Sequence, residues 1–219
     1  MVKKSNYLKN FDGTNLLTAL EAYSSEVINI QPLTEKQLYD MYEVYTDPIL
    51  THIRNMEDDM VFVLTNEARD MFGHIADYRL DTSKRKNLAD AYGHFRRLNL
   101  DAFKIICDKL DGFLYLYLRK HNRYDYREER KNFLLNYSKD YFEAKKVYLN
   151  AQVSEHAGSD RVAGNIIHEY YRASKMYVRL FVFLQNKHAA LESIKRKTIV
   201  KLSFDAVIAI SGIVLSLLT

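Results

Sequence analysis

The chain has 219 residues, of which 47% are hydrophobic and 27% charged, and its net charge is +4. This balance is typical of a folded protein, and the mild positive charge permits contact with nucleic acid or anionic lipid without requiring either. Seven glycines and two prolines provide few breakers, which favours long helices over a β fold with many turns.

Two helices are predicted in the first part of the chain. The first begins after Thr14 and continues through LLTALEAYSSEVI, residues 16–28. The second is short and begins at Thr34, which forms a capping box with Gln37 three residues later.

A new helix is predicted at Asp47 and Pro48, where the aspartate caps the helix and the proline takes the first helical position. It continues to about Leu80, because its apolar residues recur at spacings of four and three. These residues are Ile49, Ile53, Met56, Met60 and Val63. The segment DTSKRK, residues 81–86, is then predicted to form a polar turn with Ser83 as a cap.

Three helices are predicted after this turn. One ends at about Lys120, and the next covers residues 126–155 and is followed by a loop at residues 156–160. The last begins near Arg161 and meets no stop signal before the end of the sequence. The predicted fold class is therefore all-α: a bundle of long antiparallel helices with a C-terminal helix that continues into a hydrophobic segment.

Two further predictions concern Cys107 and the tyrosine-rich segment that follows it. Cys107 lies in the apolar run FKIICDKL and is predicted to be a buried, inert thiol. Residues 112–150 are rich in tyrosine, lysine and arginine. We expect bundle helices with tyrosine hydroxyls at the rim and solvated charges outside, and binding of single-stranded nucleic acid is the alternative.

The C-terminal segment LSFDAVIAISGIVLSLLT, residues 202–219, carries no charge after Asp205. Its ten Leu, Ile, Val and Phe residues favour membrane insertion by about 3 to 6 kcal/mol, against a cost of about 2.5 to 3.5 kcal/mol for a central aspartate. Basic residues precede it in KRKTIVK, residues 195–201, which predicts a cytoplasmic body. The predicted organisation is a helical bundle at residues 1–197 and a transmembrane helix at residues 198–219.

Small and weakly polar residues share one face of this tail. They are Lys201, Asp205, Ala209, Gly212 and Ser216. Small residues let membrane helices approach closely, so this stripe predicts a homo-oligomer whose tails surround a pore. The alternative is a soluble C-terminal helix packed in the core, with Asp205 paired to Lys201.

A repeated Gly-His pair marks a candidate site, at MFGHIADYR (71–79) and AYGHFRRLN (91–99). The two histidines are equidistant from residue 84 in the predicted turn, so His74 should face His94 across an antiparallel hairpin, with Gly73 and Gly93 allowing close approach. Counting outward from residue 84 in the same way places Arg69 and Asp70 near Arg96 and Arg97. The candidate ligand-binding residues are Arg69, Asp70, His74, His94, Arg96 and Arg97. Interhelical packing and hydrogen bonding is the alternative role of the histidines, and neither a metal nor a cofactor is expected.

The segment EARDMFGH, residues 67–74, and the downstream DAYGHFRRLNLDAFK resemble HEPN domains over about 40 residues. HEPN domains are four-helix bundles, and many are ribonucleases in toxin or antiviral systems. The resemblance implies a phosphate-holding role for Arg69 and an acid–base role for His74 at a dimer interface. On a regular helix these two side chains point about 140° apart, so they converge only if the helix begins or bends near Asn66.

Together these patterns predict a membrane-associated oligomeric effector that permeabilises the bacterial inner membrane, with its helical body in the cytoplasm. Its organisation resembles the effectors of bacterial antiphage defence, which implies a nucleotide or oligonucleotide regulator. The first alternative is a metal-independent HEPN-type endoribonuclease. The second is a soluble helical binding protein whose tail lies in its core.

Overall fold

The computed structural model describes residues 11–23, 27, 34–54, 61–121, 128–157 and 164–187. All regular elements in these ranges are helical, which confirms the all-α prediction for the described part of the chain. We label the helices α1 (Gly13–Ala22), α2 (Glu35–Met41), α3 (Asp47–Arg54), α4 (Val61–Leu80), α5 (Arg85–His121) and α6 (Glu128–Ala157). Residues 164–187 are also helical, and residues 164–181 are labelled α7. The boundary between two compact units follows Phe181, and the contacts below belong to the first unit.

Helix α1 ends earlier than the sequence predicts. The carboxylate of Asp12 caps its start by accepting a 2.9 Å hydrogen bond from the backbone N–H of Thr14. The helix stops at Ala22, and Tyr23 has an extended backbone with φ −71° and ψ 106°. The ring of Tyr23 is buried, with ring centroids 5.1 Å from Phe103 and 5.4 Å from Tyr171. Burial of this large ring outweighs continuation of the local helical pattern.

Helix α2 begins at the predicted capping box, in which Thr34 and Gln37 exchange two hydrogen bonds of 3.2 Å. Helix α3 begins at Asp47 as predicted, but Asp47 is itself helical and follows no break, because a π-helical turn over Tyr42–Thr46 joins α2 to α3. In this turn the N–H of Asp47 bonds to the carbonyl of Tyr42, five residues earlier. The wider turn accommodates Pro48, which has no N–H and would clash with a carbonyl in a regular helix.

The long helices pack antiparallel, as predicted. Residues of α5 meet residues of α6 in reverse order: Lys104 pairs with Glu155, and Asp111 with Tyr141. Helix α7 lies antiparallel to α6 as well, since Glu155 bonds to Tyr170 while the ring of Tyr141 contacts that of Tyr177. The α4–α5 pair forms the predicted hairpin, with its turn at residues 81–84.

No helix in the described ranges is both long and apolar enough to cross a membrane. The predicted transmembrane segment, residues 198–219, lies outside these ranges. The same holds for the predicted stripe of small residues on it. Its members are Lys201, Asp205, Ala209, Gly212 and Ser216.

Candidate functional site

The α4–α5 hairpin brings His74 and His94 together, as their equal distances from residue 84 predict. Their rings stack with centroids 5.2 Å apart and planes 25° apart. The turn between the helices is organised by Asp81, whose carboxylate accepts hydrogen bonds from the backbone N–H of Ser83 (3.1 Å) and from its hydroxyl (2.6 Å). A short rigid turn therefore fixes the register that pairs the two histidines.

The two glycines do not create this close approach, contrary to prediction. A Cβ atom added to Gly73 would meet nothing within 4 Å, and one added to Gly93 would lie 3.9 Å from the Arg97 side chain. The contact is instead formed by buried apolar side chains on both helices. They are Met71, Ile75, Ala91, Phe95 and Leu98.

Glu67 is the anchor of the site, and it was not among the predicted residues. Its Oε2 lies 2.8 Å from Nδ1 of His94 and accepts a 3.1 Å hydrogen bond from Nε of Arg97. The side chains of Glu67 and His94 are only 22% and 17% exposed, whereas that of Arg97 is 43% exposed. The cluster is therefore sheltered on the histidine side and open to solvent on the arginine side.

The contact with Glu67 indicates which ring nitrogen carries the proton when His94 is neutral. An ionised carboxylate can only accept a hydrogen bond, so Nδ1 of His94 carries the proton that points at Glu67. Nε2 of His94 is then left as an acceptor or base. Nδ1 of the stacked His74 is buried and has no hydrogen-bond partner in the described residues.

Arg69 and Asp70 do not join the cluster. Nε and Nη2 of Arg69 both lie 3.2 Å from Oδ1 of Asp70, and the arginine side chain is 71% exposed. Helix α4 runs without a break from Val61 to Leu80. Helix α4 therefore neither begins nor breaks near Asn66, and Arg69 is paired with Asp70.

Arg96 also belongs to another surface. Its guanidinium carbon lies 5.8 Å from the centroid of the Tyr92 ring, a cation–π geometry. Its Nε is buried and has no hydrogen-bond partner in the part of the chain that the structure describes. Of the six predicted ligand-binding residues, the structure thus brings together His74, His94 and Arg97, with Glu67 in addition.

A second polar network, also missed by the sequence analysis, joins α5, α6 and α7. Asp111 accepts hydrogen bonds from the hydroxyls of Tyr141 (2.8 Å) and Tyr177 (2.9 Å), and Lys145 Nζ lies 3.2 Å from its other oxygen. Asp108 accepts a hydrogen bond from Tyr148. The predicted rim position is wrong for Tyr141 and Tyr148, because their rings lie in the core and their hydroxyls bond to carboxylates of α5.

The network continues towards the hairpin cluster. Glu155 accepts hydrogen bonds from Tyr170 (2.8 Å) and Lys104 (2.6 Å). Burial raises the pKa of Tyr170 strongly, and its hydrogen bond to the Glu155 carboxylate raises it further. Both effects favour the neutral phenol, so the tyrosine acts as a hydrogen-bond donor and not as a base.

Between the two networks lies Asp101, whose pKa is raised. Burial is the main cause, and the carboxylates of Glu67 and Glu155 add to it, while Lys104 and Arg97 oppose the shift. Asp101 thus links the hairpin cluster to the tyrosine network electrostatically.

Cys107 is fully buried, as predicted. Burial raises the pKa of its thiol well above the usual range. Its Sγ lies 3.8 Å from the carbonyl oxygen of Tyr170. A buried protonated thiol is a poor nucleophile, so the residue belongs to the core.

Within the described residues, no three His, Cys, Asp or Glu side chains are grouped so that they could hold a metal ion. Comparisons with known protein families, with curated proteins and with solved structures found no match. The chemistry open to the hairpin cluster is binding of an anion by His94 and Arg97 in competition with Glu67.

Proposed function

We propose that the protein is a membrane-associated oligomeric effector, with a cytoplasmic helical body and a C-terminal helix in the bacterial inner membrane. The observation that carries this proposal is the charge pattern of the tail. Residues 206–219 contain no charged side chain, and the preceding KRKTIVK contains four basic residues and no acidic one. Basic residues next to an apolar span mark its cytoplasmic side.

The tail acts by self-association in this proposal. The stripe that includes Gly212 and Asp205 faces sibling copies, because small residues permit close helix packing and an ionisable residue in a membrane turns towards a partner or water. A ring of such tails surrounds a polar path, and opening of that path permeabilises the membrane. The resemblance to HEPN-like antiphage effectors supports a role in antiviral defence.

The hairpin cluster is the regulatory site in this proposal. Arg97 and His94 are both bound to one carboxylate, that of Glu67. An anionic ligand that binds these two groups must displace Glu67, which removes one of the links between α4 and α5. Phosphate groups suit an arginine that is accessible from solvent, and this supports a nucleotide or oligonucleotide as the regulator.

The first test is membrane location. The full chain is expressed in bacteria, and membranes are washed with alkaline carbonate, which strips peripheral proteins. We expect the chain to stay in the membrane pellet. Release of the chain into the supernatant would instead support the soluble binding protein with a buried tail.

The second test is membrane leakage. Purified chain in dye-loaded vesicles is expected to release the dye, and Gly212→Leu is expected to abolish release because a large side chain separates the packed tails. Val214→Leu is the matched control on the opposite side of the tail helix. Equal leakage from wild type and Gly212→Leu would remove the pore from the proposal while leaving the membrane location in place.

A ribonuclease is not the function we propose, because Arg69 is paired with Asp70 on an unbroken α4. The discriminating variants are Arg69→Ala and His74→Ala. If either variant preserved cellular RNA that the wild type degrades, the enzymatic alternative would replace the effector proposal.

A further inference from the structure

Helix α6 has two apolar faces, and only one of them is covered. The inner face is buried in the bundle and consists of Tyr137, Tyr141, Ala144, Tyr148 and Ala151. The outer face carries large apolar side chains that remain exposed. They are Leu135 (68% exposed), Phe142 (62%), Leu149 (46%) and Val153 (67%). We call these four residues the outer stripe.

The outer stripe is narrow and continuous. At 100° per residue, its four members lie within about 40° of one another around the helix axis. From Leu135 to Val153 they extend along about 27 Å of helix at 1.5 Å per residue. Single exposed apolar residues are ordinary on protein surfaces, but an aligned row of this length marks an interaction surface.

The border of the stripe is basic. Lys139 and Lys146 are exposed and lie about 40–60° from Phe142 on one side. Lys145 lies about 60° away on the other side, where it is paired with Asp111. Between Leu135 and Val153, the positions within about 80° of Phe142 carry no carboxylate, since Asp140 and Glu143 lie further round the helix. Apolar side chains edged by lysines are the pattern of a helix that lies on an anionic membrane surface.

The surface continues onto α5. Nζ of Lys145 lies 5.9 Å from the centroid of the Tyr115 ring, and Tyr115 is 50% exposed. A half-exposed tyrosine is amphipathic and suits the boundary between lipid headgroups and acyl chains. Two neighbouring helices therefore contribute to one surface.

A second copy of the chain fits this surface poorly. In a two-fold antiparallel pairing centred between Phe142 and Glu143, the exposed Lys139 of one copy would oppose the exposed Lys146 of the other. This arrangement sets like charges against each other, whereas lipid phosphates and carboxylates neutralise them.

We propose that the outer stripe of α6 docks on the surface of an anionic bilayer, with Phe142 and Leu149 entering the headgroup–acyl boundary and Lys139 and Lys146 contacting lipid phosphates. This inference deepens the proposed function and rests on its membrane location. Docking would hold the helical body against the bilayer in which the proposed tail is anchored. The contact is reversible and depends on lipid charge, unlike insertion of a tail.

The test places an environment-sensitive fluorophore on the stripe of the full-length chain. Phe142→Cys is labelled with the fluorophore NBD, while Cys107 is shielded by complete burial. Asn136→Cys is the matched control, because Asn136 is exposed on the same helix about 120° away from Phe142. Both proteins are reconstituted into vesicles of phosphatidylcholine alone and of phosphatidylcholine with phosphatidylserine, and quenching by spin-labelled lipid is measured.

We expect a blue shift and lipid quenching for the label at residue 142 only, and only in vesicles with phosphatidylserine. Replacing Lys139 and Lys146 by glutamine should lower the equilibrium constant for docking by about 25-fold, at roughly one fivefold step per lysine near an anionic surface. High salt should act in the same direction.

Three outcomes would overturn the inference. One is a label at residue 142 that stays in water on anionic vesicles, which would leave an acidic protein as the occupant. Another is a blue shift without vesicles that grows with protein concentration, which would indicate a second copy. The third is equal quenching at residues 136 and 142. Carbonate extraction of the same samples reports separately on the tail, so failure of docking and failure of membrane anchoring are distinguishable.

Discussion

Glu67 and His94 form the central hydrogen-bonded pair of the hairpin, with 2.8 Å between Oε2 and Nδ1. The same oxygen holds Arg97 at 3.1 Å, so one carboxylate occupies both groups that could bind an anion. Glu67 is therefore placed to act as an internal competitor for a ligand.

The first prediction concerns this competition. Glu67→Gln removes the charge that holds His94 and Arg97, and we expect affinity for a nucleoside triphosphate to rise about tenfold, as expected for release of a charge-assisted hydrogen bond. The measurement is isothermal titration calorimetry with ATP. Asp70→Asn is the control, since Asp70 pairs only with the exposed Arg69 in the contacts described above. Unchanged affinity in Glu67→Gln would contradict the competition.

The second prediction concerns Gly73. A Cβ atom at this exposed position of α4 meets nothing within 4 Å, so Gly73→Ala should raise the free energy of unfolding by about 0.5–1 kcal/mol through the lower backbone entropy of the unfolded chain. Urea denaturation measures the change. A destabilised variant would show that the hairpin needs a glycine here after all.

The third prediction concerns the pH dependence of Asp101. The raised pKa of Asp101 means that folding favours its protonated carboxyl. Asp101 therefore contributes to the stability of the fold when the pH is below its pKa in the unfolded chain, and this contribution is lost as the pH rises through its pKa in the folded protein. Asp101→Asn should therefore stabilise the protein at neutral pH, and this gain should disappear below about pH 4, where aspartate is protonated in both states. Urea denaturation across this pH range checks the sign.

Asp140→Asn, on the exposed surface of α6, is the control for Asp101. A pH-independent difference between wild type and Asp101→Asn would show that the substitution acts through packing. A loss of stability at neutral pH would contradict the direction of the shift.

The fourth prediction concerns the tyrosine network. Tyr177→Phe removes the hydroxyl that donates to Asp111 from a fully buried ring, and this should cost about 1 kcal/mol of unfolding free energy. Tyr39→Phe is the control, because Tyr39 is 44% exposed and the phenylalanine keeps its ring contact with Phe72. Equal unfolding free energies of the two variants would show that the hydrogen bond from Tyr177 to Asp111 does not stabilise the core.

Much of the fold follows from local sequence signals. The capping box at Thr34 appears where the pattern predicts it, because these groups act on neighbouring backbone atoms. The polar turn is shorter than the predicted 81–86, since α5 begins at Arg85, and the hydroxyl of Ser83 donates to Asp81 instead of capping α5. Tyr23 and Pro48 show where such signals fail. Burial of the Tyr23 ring ends α1 early, and the π turn lets α3 continue through the proline. Both effects depend on tertiary packing or on a rare backbone geometry.

The site was predictable only in part, for a geometric reason. Distance from the turn gives the height of a residue along a hairpin, which pairs His74 with His94 correctly. It does not give the direction of a side chain around its helix, and so Arg69 and Arg96 were assigned to a cluster that they do not join. Glu67 could have been found from its height, since residue 67 mirrors Asp101, one helical turn from Arg97.

The most direct measurement of the central claim is disulfide crosslinking of the tail in native membranes. Gly212→Cys and Val214→Cys place single thiols on opposite sides of the tail helix, about 160° apart, while Cys107 is shielded in the core. After mild oxidation, we predict that Gly212→Cys forms covalent dimers in the membrane fraction and that Val214→Cys stays monomeric. Equal crosslinking at the two positions, or a Gly212→Cys chain that remains monomeric, would contradict an oligomer built on the small-residue stripe.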